Sequence, residues 1–82
     1  MSDGDYLKNF GREARLKEEL QARETRLKCT IEQLHDKADP LESLDRIDGE
    51  SIASLGFQVA NELIEYRKLR DDLANVRRAL GR

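Results

Sequence analysis

The 82-residue chain has no tryptophan, one cysteine, one proline, one methionine, two phenylalanines and two tyrosines. The single cysteine, Cys29, cannot form an internal disulfide, so no covalent staple supplements the core, and a reducing compartment is expected. Pro40, the single proline, leaves one strong helix breaker near the middle. No stretch approaches the roughly 20 apolar residues of a transmembrane helix. The acidic, polar opening Met1-Ser2-Asp3-Gly4-Asp5 is unlike a secretory signal. These absences favour the cytoplasm and argue against a membrane partner.

The motifs of common chemistry are missing as well. The chain has no glycine-rich phosphate loop, CxxC, HExxH or GxSxG. The acids between Asp36 and Glu50 lack the order of an EF-hand loop. Cys29 and His35 lie six residues apart, so on a helix they point in different directions and make a poor metal pair. No catalytic residue, cofactor or metal is expected, and the chain is not expected to be an enzyme.

Charge and helical periodicity are abundant. Charged residues make up 39% of the chain. With few aromatics, this composition is that of long helices or coiled coils. The clearest pattern runs from Ile52 to Leu80. With Ile52 at heptad position a, the a sites are Ile52, Val59, Tyr66, Leu73 and Leu80, and the d sites are Leu55, Glu62, Leu69 and Val76. Glu62 is the only polar one, so this segment is a long helix that needs a helical partner.

The first half repeats the pattern less well. A helix over about 5–38 places Tyr6, Leu20, Leu27 and Leu34 at d-like sites, and Phe10, Lys17, Glu24, Ile31 and Ala38 at a-like sites. Lys17 and Glu24 are mismatches on that seam. Ser2, Asp3 and Asp5 are candidate caps, and Glu24–Lys28 has the i,i+4 spacing of a helical ion pair. Pro40 ends this helix. The connector, 39–48, then has the makings of a short helix from Pro40 to Arg46, capped by Asp39, whose Leu41, Leu44 and Ile47 would close the end of the core. Asp48 caps the second helix, which runs over about 49–80, and Gly81 suits its C-terminal cap.

Two long helices of similar length and a short connector predict an all-α fold: one helical-hairpin domain over 1–82, folded as an antiparallel coiled coil. Its charge is polarised. Residues 29–50 hold seven acids against two bases, a net of −5, while 67–82 hold six bases against two acids, a net of +4. The hairpin would thus carry an acidic tip (Asp39, Glu42, Asp45, Asp48) and a basic open end (Arg67, Lys68, Arg70, Arg77, Arg78, Arg82). Glu13, Glu18 and Glu19 would face the basic end, and no aromatic interleaving is present for base stacking, so nucleic acid is a weak candidate partner.

Helix 2 is also apolar away from its seam, at Phe57, Ala60, Leu63 and Ile64. A helix that is apolar on two sides is buried on two sides. These four residues form the expected partner interface. A second copy is the first candidate partner, giving a homodimeric four-helix bundle, and another helical protein is the second. The function class expected is a protein–protein interaction module: an adaptor, small chaperone or assembly subunit.

One stretch carries a resemblance. Asp39-Pro40, then Leu44-Asp45-Arg46-Ile47, followed by a long charged helix, is similar to the coiled-coil tip of the DksA-like transcription factors, which share their plan with the Gre factors. The likeness covers about ten residues and implies a hairpin that enters the secondary channel of RNA polymerase and brings Asp39 or Asp45 near the catalytic magnesium. The family tip reads roughly Asp-Pro-x-Asp-Arg-Ala. Here three more residues follow the proline, Ile47 replaces the alanine, and no zinc finger or globular docking domain accompanies the hairpin.

Overall fold

The computed structural model describes residues 3–82 and is all-helical across them. Helix α1 spans Asp3–Lys37, a short 3-10 turn spans Leu44–Arg46, and α2 spans Gly49–Ala79. The two long helices pack against each other as an antiparallel hairpin. The molecule is a rod of 63 × 15 × 15 Å with a Cα radius of gyration of 18.4 Å. A globular chain of this length would have a radius of about 12 Å.

Local sequence accounts for the ends of α2. Asp48 is its N-cap, and its side chain accepts from the Ser51 backbone N–H at 3.1 Å. At the C-terminus, Arg82 N–H donates to the Arg77 carbonyl and Gly81 N–H to the Arg78 carbonyl, with Gly81 at φ 78°. This 6→1 and 5→2 pair is a Schellman motif, and it needs a residue that tolerates the left-handed region. Helix α1 begins at Asp3, so Asp5 lies within the helix rather than capping it, and Ser2 lies outside the described residues.

The connector differs from expectation. Asp39 accepts from the Leu41 backbone N–H at 2.9 Å and caps a turn, not a helix from Pro40. Only Leu44–Arg46 is helical, and as 3-10. Leu41 and Leu44 are 93% and 86% exposed, so they do not close the end of the core, and Ile47 alone is half-buried. The physical reason is geometric. A single 3-10 turn lays down too little chain to turn both leucines back onto the helices.

The α2 seam follows its heptad: all nine a and d positions from Ile52 to Leu80 are buried or half-buried. The α1 seam is rotated from the expected one. Glu13, Leu16, Leu20, Arg23, Leu27, Thr30 and Leu34 are the buried or half-buried side chains that repeat at alternating steps of three and four. Leu20, Leu27 and Leu34 belong to both registers. Lys17 and Ile31 are exposed, as are Tyr6, Phe10 and Ala38, and Glu24 turns out to meet Lys28 at 3.0 Å. Leu16 decides the rotation, because burying a leucine is favourable where burying Lys17 is costly. Thr30 is tolerated inside because its hydroxyl donates to the Arg26 carbonyl at 3.0 Å.

The core is thin and uneven. Leu16, Leu73 and Val76 form its dry part near the open end, flanked by Leu20, Leu69 and Leu80. Towards the middle the buried residues are Leu27 and Thr30. The accessible surface is 6424 Å², against about 5,000 Å² for a globular monomer of this mass. The hairpin thus leaves an unusual share of its surface in water.

Candidate interaction surfaces

Three surfaces stand out. The first is the outer face of α2. Ala53, Phe57, Ala60 and Ile64 are all exposed and follow one another at steps of four, three and four. Side chains at that spacing share one face of a helix. Phe57 is 74% exposed and Ile64 62% exposed, so nothing within the chain covers them, the connector included. Leu63 and Gly56 are half-buried beside this stripe, towards the seam. Ile31 of α1 lies on the same flank as Leu63. Each follows by one residue a position on the seam, Thr30 and Glu62, and in an antiparallel pair that step turns both to one side. Ile31, expected on the seam, is exposed on this flank instead.

The second surface is the tip. Its acids are mostly engaged locally. Asp39 and Asp48 cap backbone N–H groups, and Glu42 accepts from the Ser43 N–H and lies 4.0 Å from Arg46. Hydrogen bonds from the Ser51 hydroxyl, at 2.6 Å, and from the Ser51 N–H hold the Asp48 carboxyl below the usual carboxylate range. Asp45 stands between the two exposed leucines, Leu41 and Leu44, and Arg46.

The third is the basic open end. The Glu13 carboxylate is mostly buried and meets Arg82 as well as Arg77, the latter at 3.7 Å. The Arg82 guanidinium also sits 5.7 Å from the Phe10 ring centroid, a cation–π contact. Arg70 pairs with Asp71, and Arg78 donates to the Asn75 side chain. A groove of about 420 Å³ lies here, floored by Leu20 and Leu73 and rimmed by Arg70, Arg77, Arg78 and Arg82. Arg77 and Arg82 thus hold α1 to α2, while Arg70 and Arg78 are engaged within α2.

No protein-family model, curated protein or solved structure matches this chain. The functional argument therefore rests on these surfaces. Among the described residues, no group of three or more His, Cys, Asp or Glu side chains is placed to hold a metal ion, and no helix is long and apolar enough to cross a membrane. Cys29 and His35 are both exposed. Sequence reasoning missed Thr30, Arg23 and Glu13 as seam residues. The signal that could have found them was Leu16, which is in phase with all three.

Proposed function

We propose that this protein is a non-enzymatic helical-hairpin interaction module that works by helix–helix contact through the outer face of α2. The observation that carries this reading is the exposure of Phe57 and Ile64 on a helix whose opposite face already packs against α1. Covering each side chain contributes roughly 1.5–3 kcal/mol at full burial, so an occupant of this face gains appreciable free energy. A stripe of Ala, Phe, Ala and Ile is shaped to receive helical ridges and has no polar group to orient a small substrate.

The test is the sedimenting mass of the protein, purified and in native cell extract, for wild type and Phe57→Glu. A mass above the 9.5 kDa monomer in at least one setting, lost in the variant at unchanged helical content, supports the reading. A monomer in both settings, or an assembly indifferent to Phe57→Glu, removes it.

The tip favours a second reading. Exposed Leu41 and Leu44 lie just before Asp45 in the turn, and this is where the likeness to secondary-channel factors falls. On this reading the tip enters a channel of RNA polymerase, and Asp45→Asn abolishes an effect of the protein on transcription in vitro. No effect of the wild-type protein at saturating concentration removes it.

A further inference from the structure

The outer face of α2 is self-complementary in one orientation only. Resting on the interaction-module reading above, we infer that its occupant is a second copy of this chain, packed antiparallel about a two-fold axis between Phe57 and Ala60. Three observations converge on this.

The first is shape. The stripe alternates small and large: Ala53, Phe57, Ala60, Ile64. A two-fold axis at its midpoint sets Phe57 against the partner's Ala60, and Ile64 against the partner's Ala53. Large side chains then fill the space left by small ones, twice over by symmetry. A parallel pair would set phenylalanine against phenylalanine and alanine against alanine, crowding one level and leaving a gap at the next.

The second is charge. The same axis sets Glu50 beside the partner's Lys68. Glu50 and Lys68 lie on the same flank of the stripe, which antiparallel packing brings together. Both are exposed, and within the described residues neither has an ion-pair partner in its own chain. In a parallel pair the two flanks would lie on opposite sides of the contact, and neither charge would meet the other.

The third is extent. From Glu50 to Lys68 the strip is about 27 Å long at 1.5 Å per residue. A helix-wide strip of that length buries roughly 400–500 Å² on each copy, about 800–1,000 Å² in all, below the area of stable pairs and in the range of weak, reversible ones. The acidic tip of each rod then overlies the basic middle of the other, and the two open ends project in opposite directions.

The experiment uses the full chain with Cys29→Ser, carrying either Ala53→Cys or Ile64→Cys. Mixed under mild oxidation, the two variants cross-link to each other, and neither cross-links to itself. Sedimentation equilibrium gives a monomer–dimer equilibrium that is abolished in Phe57→Glu and weakened about tenfold in Glu50→Lys. Combining Glu50→Lys with Lys68→Glu restores it. Self-cross-linking of the Ala53→Cys chain, or a dimer indifferent to Glu50→Lys, overturns the antiparallel pair. A purified monomer at every concentration, with an extract complex still lost in Phe57→Glu, overturns self-pairing while the module reading stands. A dimer that survives Phe57→Glu overturns both.

Discussion

Glu62 is the weak point of the hairpin seam, and replacing it should stabilise the protein. It occupies a d position of α2 and is half-buried. The contacts between Glu13 and Arg77, and between Leu16 and Leu73, set the register, which places Glu62 across from Leu27 and Thr30. Its Oε1 accepts from the Gln58 side chain at 3.1 Å, but Oε2 is buried without a hydrogen-bond partner. A buried polar atom left unsatisfied costs about 1–3 kcal/mol. Glu62→Leu removes that cost and adds about 1 kcal/mol from a half-buried apolar side chain. It forfeits the Gln58 bond, about 0.5 kcal/mol at an exposed site. The net is a gain of about 1.5–3.5 kcal/mol, or a rise in Tm of about 6–28 °C for a domain of this size. Thermal unfolding followed by circular dichroism measures it, with Phe57→Glu as a shared background so that association through the outer face does not contribute. Glu62→Gln is the control: it keeps the size and polarity and should recover less than half of the gain. An unchanged or lower Tm for Glu62→Leu would show that the carboxylate has a partner in solution, and would refute the reasoning.

Five further outcomes follow from the packing. Leu73→Ala, in the dry part of the core, should lose about 2–4 kcal/mol in a urea titration; Ile31→Ala should lose under about 1 kcal/mol in the monomeric background, because Ile31 lies outside the seam. Glu13→Gln should lower stability by an amount that shrinks as salt is added, since it loosens the contacts with Arg77 and Arg82; a salt-independent loss would point to packing instead. Gly81→Ala should cost about 1–2 kcal/mol through its left-handed backbone and fray the Arg82 contacts, read by amide exchange at Arg82. For Asp48 the folded-state carboxyl lies below its ordinary value, so its contribution is present above the unfolded value near 3.8 and is lost as pH falls through the folded one. The protection of the Ser51 amide should therefore be higher in wild type than in Asp48→Ala at pH 6, with the two converging at strongly acid pH.

How much of this was legible in the sequence differs between the halves. Helix α2 and its seam could be read almost residue by residue, because its apolar side chains specify one register and Asp48 and Gly81 mark its ends. In α1, Leu20, Leu27 and Leu34 serve two registers equally, and the choice lay between Phe10, Ile31 and Ala38 on one side and Leu16 on the other. The fold selects Leu16, because the alternative would bury Lys17. Thr30 and Arg23 then enter the seam as passengers, a tertiary outcome that propensity does not register. The connector failed for a different reason. Asp39-Pro40-Leu41-Glu42 has the residues of a helix start, yet the same Asp side chain makes an equally good turn, and the turn is the shorter path between two antiparallel helices. Phe57, Ala60 and Ile64 of the outer stripe were legible from helical spacing, whereas Ala53 was not, and Leu63 turned towards the seam; the alternation of small and large side chains acquires meaning only once the seam is known to lie on the other side.

The driest packing lies at the end of the rod farthest from the turn. Leu16 and Val76 meet across roughly 60 residues of intervening chain, while the tip half is joined by buried Leu27 and half-buried Leu34, Ile52, Leu55 and Val59, interrupted by Arg23, Thr30 and Glu62. The most buried cluster therefore closes the longest loop, and forming it carries the largest loop entropy. In the folded protein the same asymmetry predicts faster amide exchange in the tip half than around Leu16 and Val76. The stripe at Phe57 and Ile64 lies in the half whose seam is less buried.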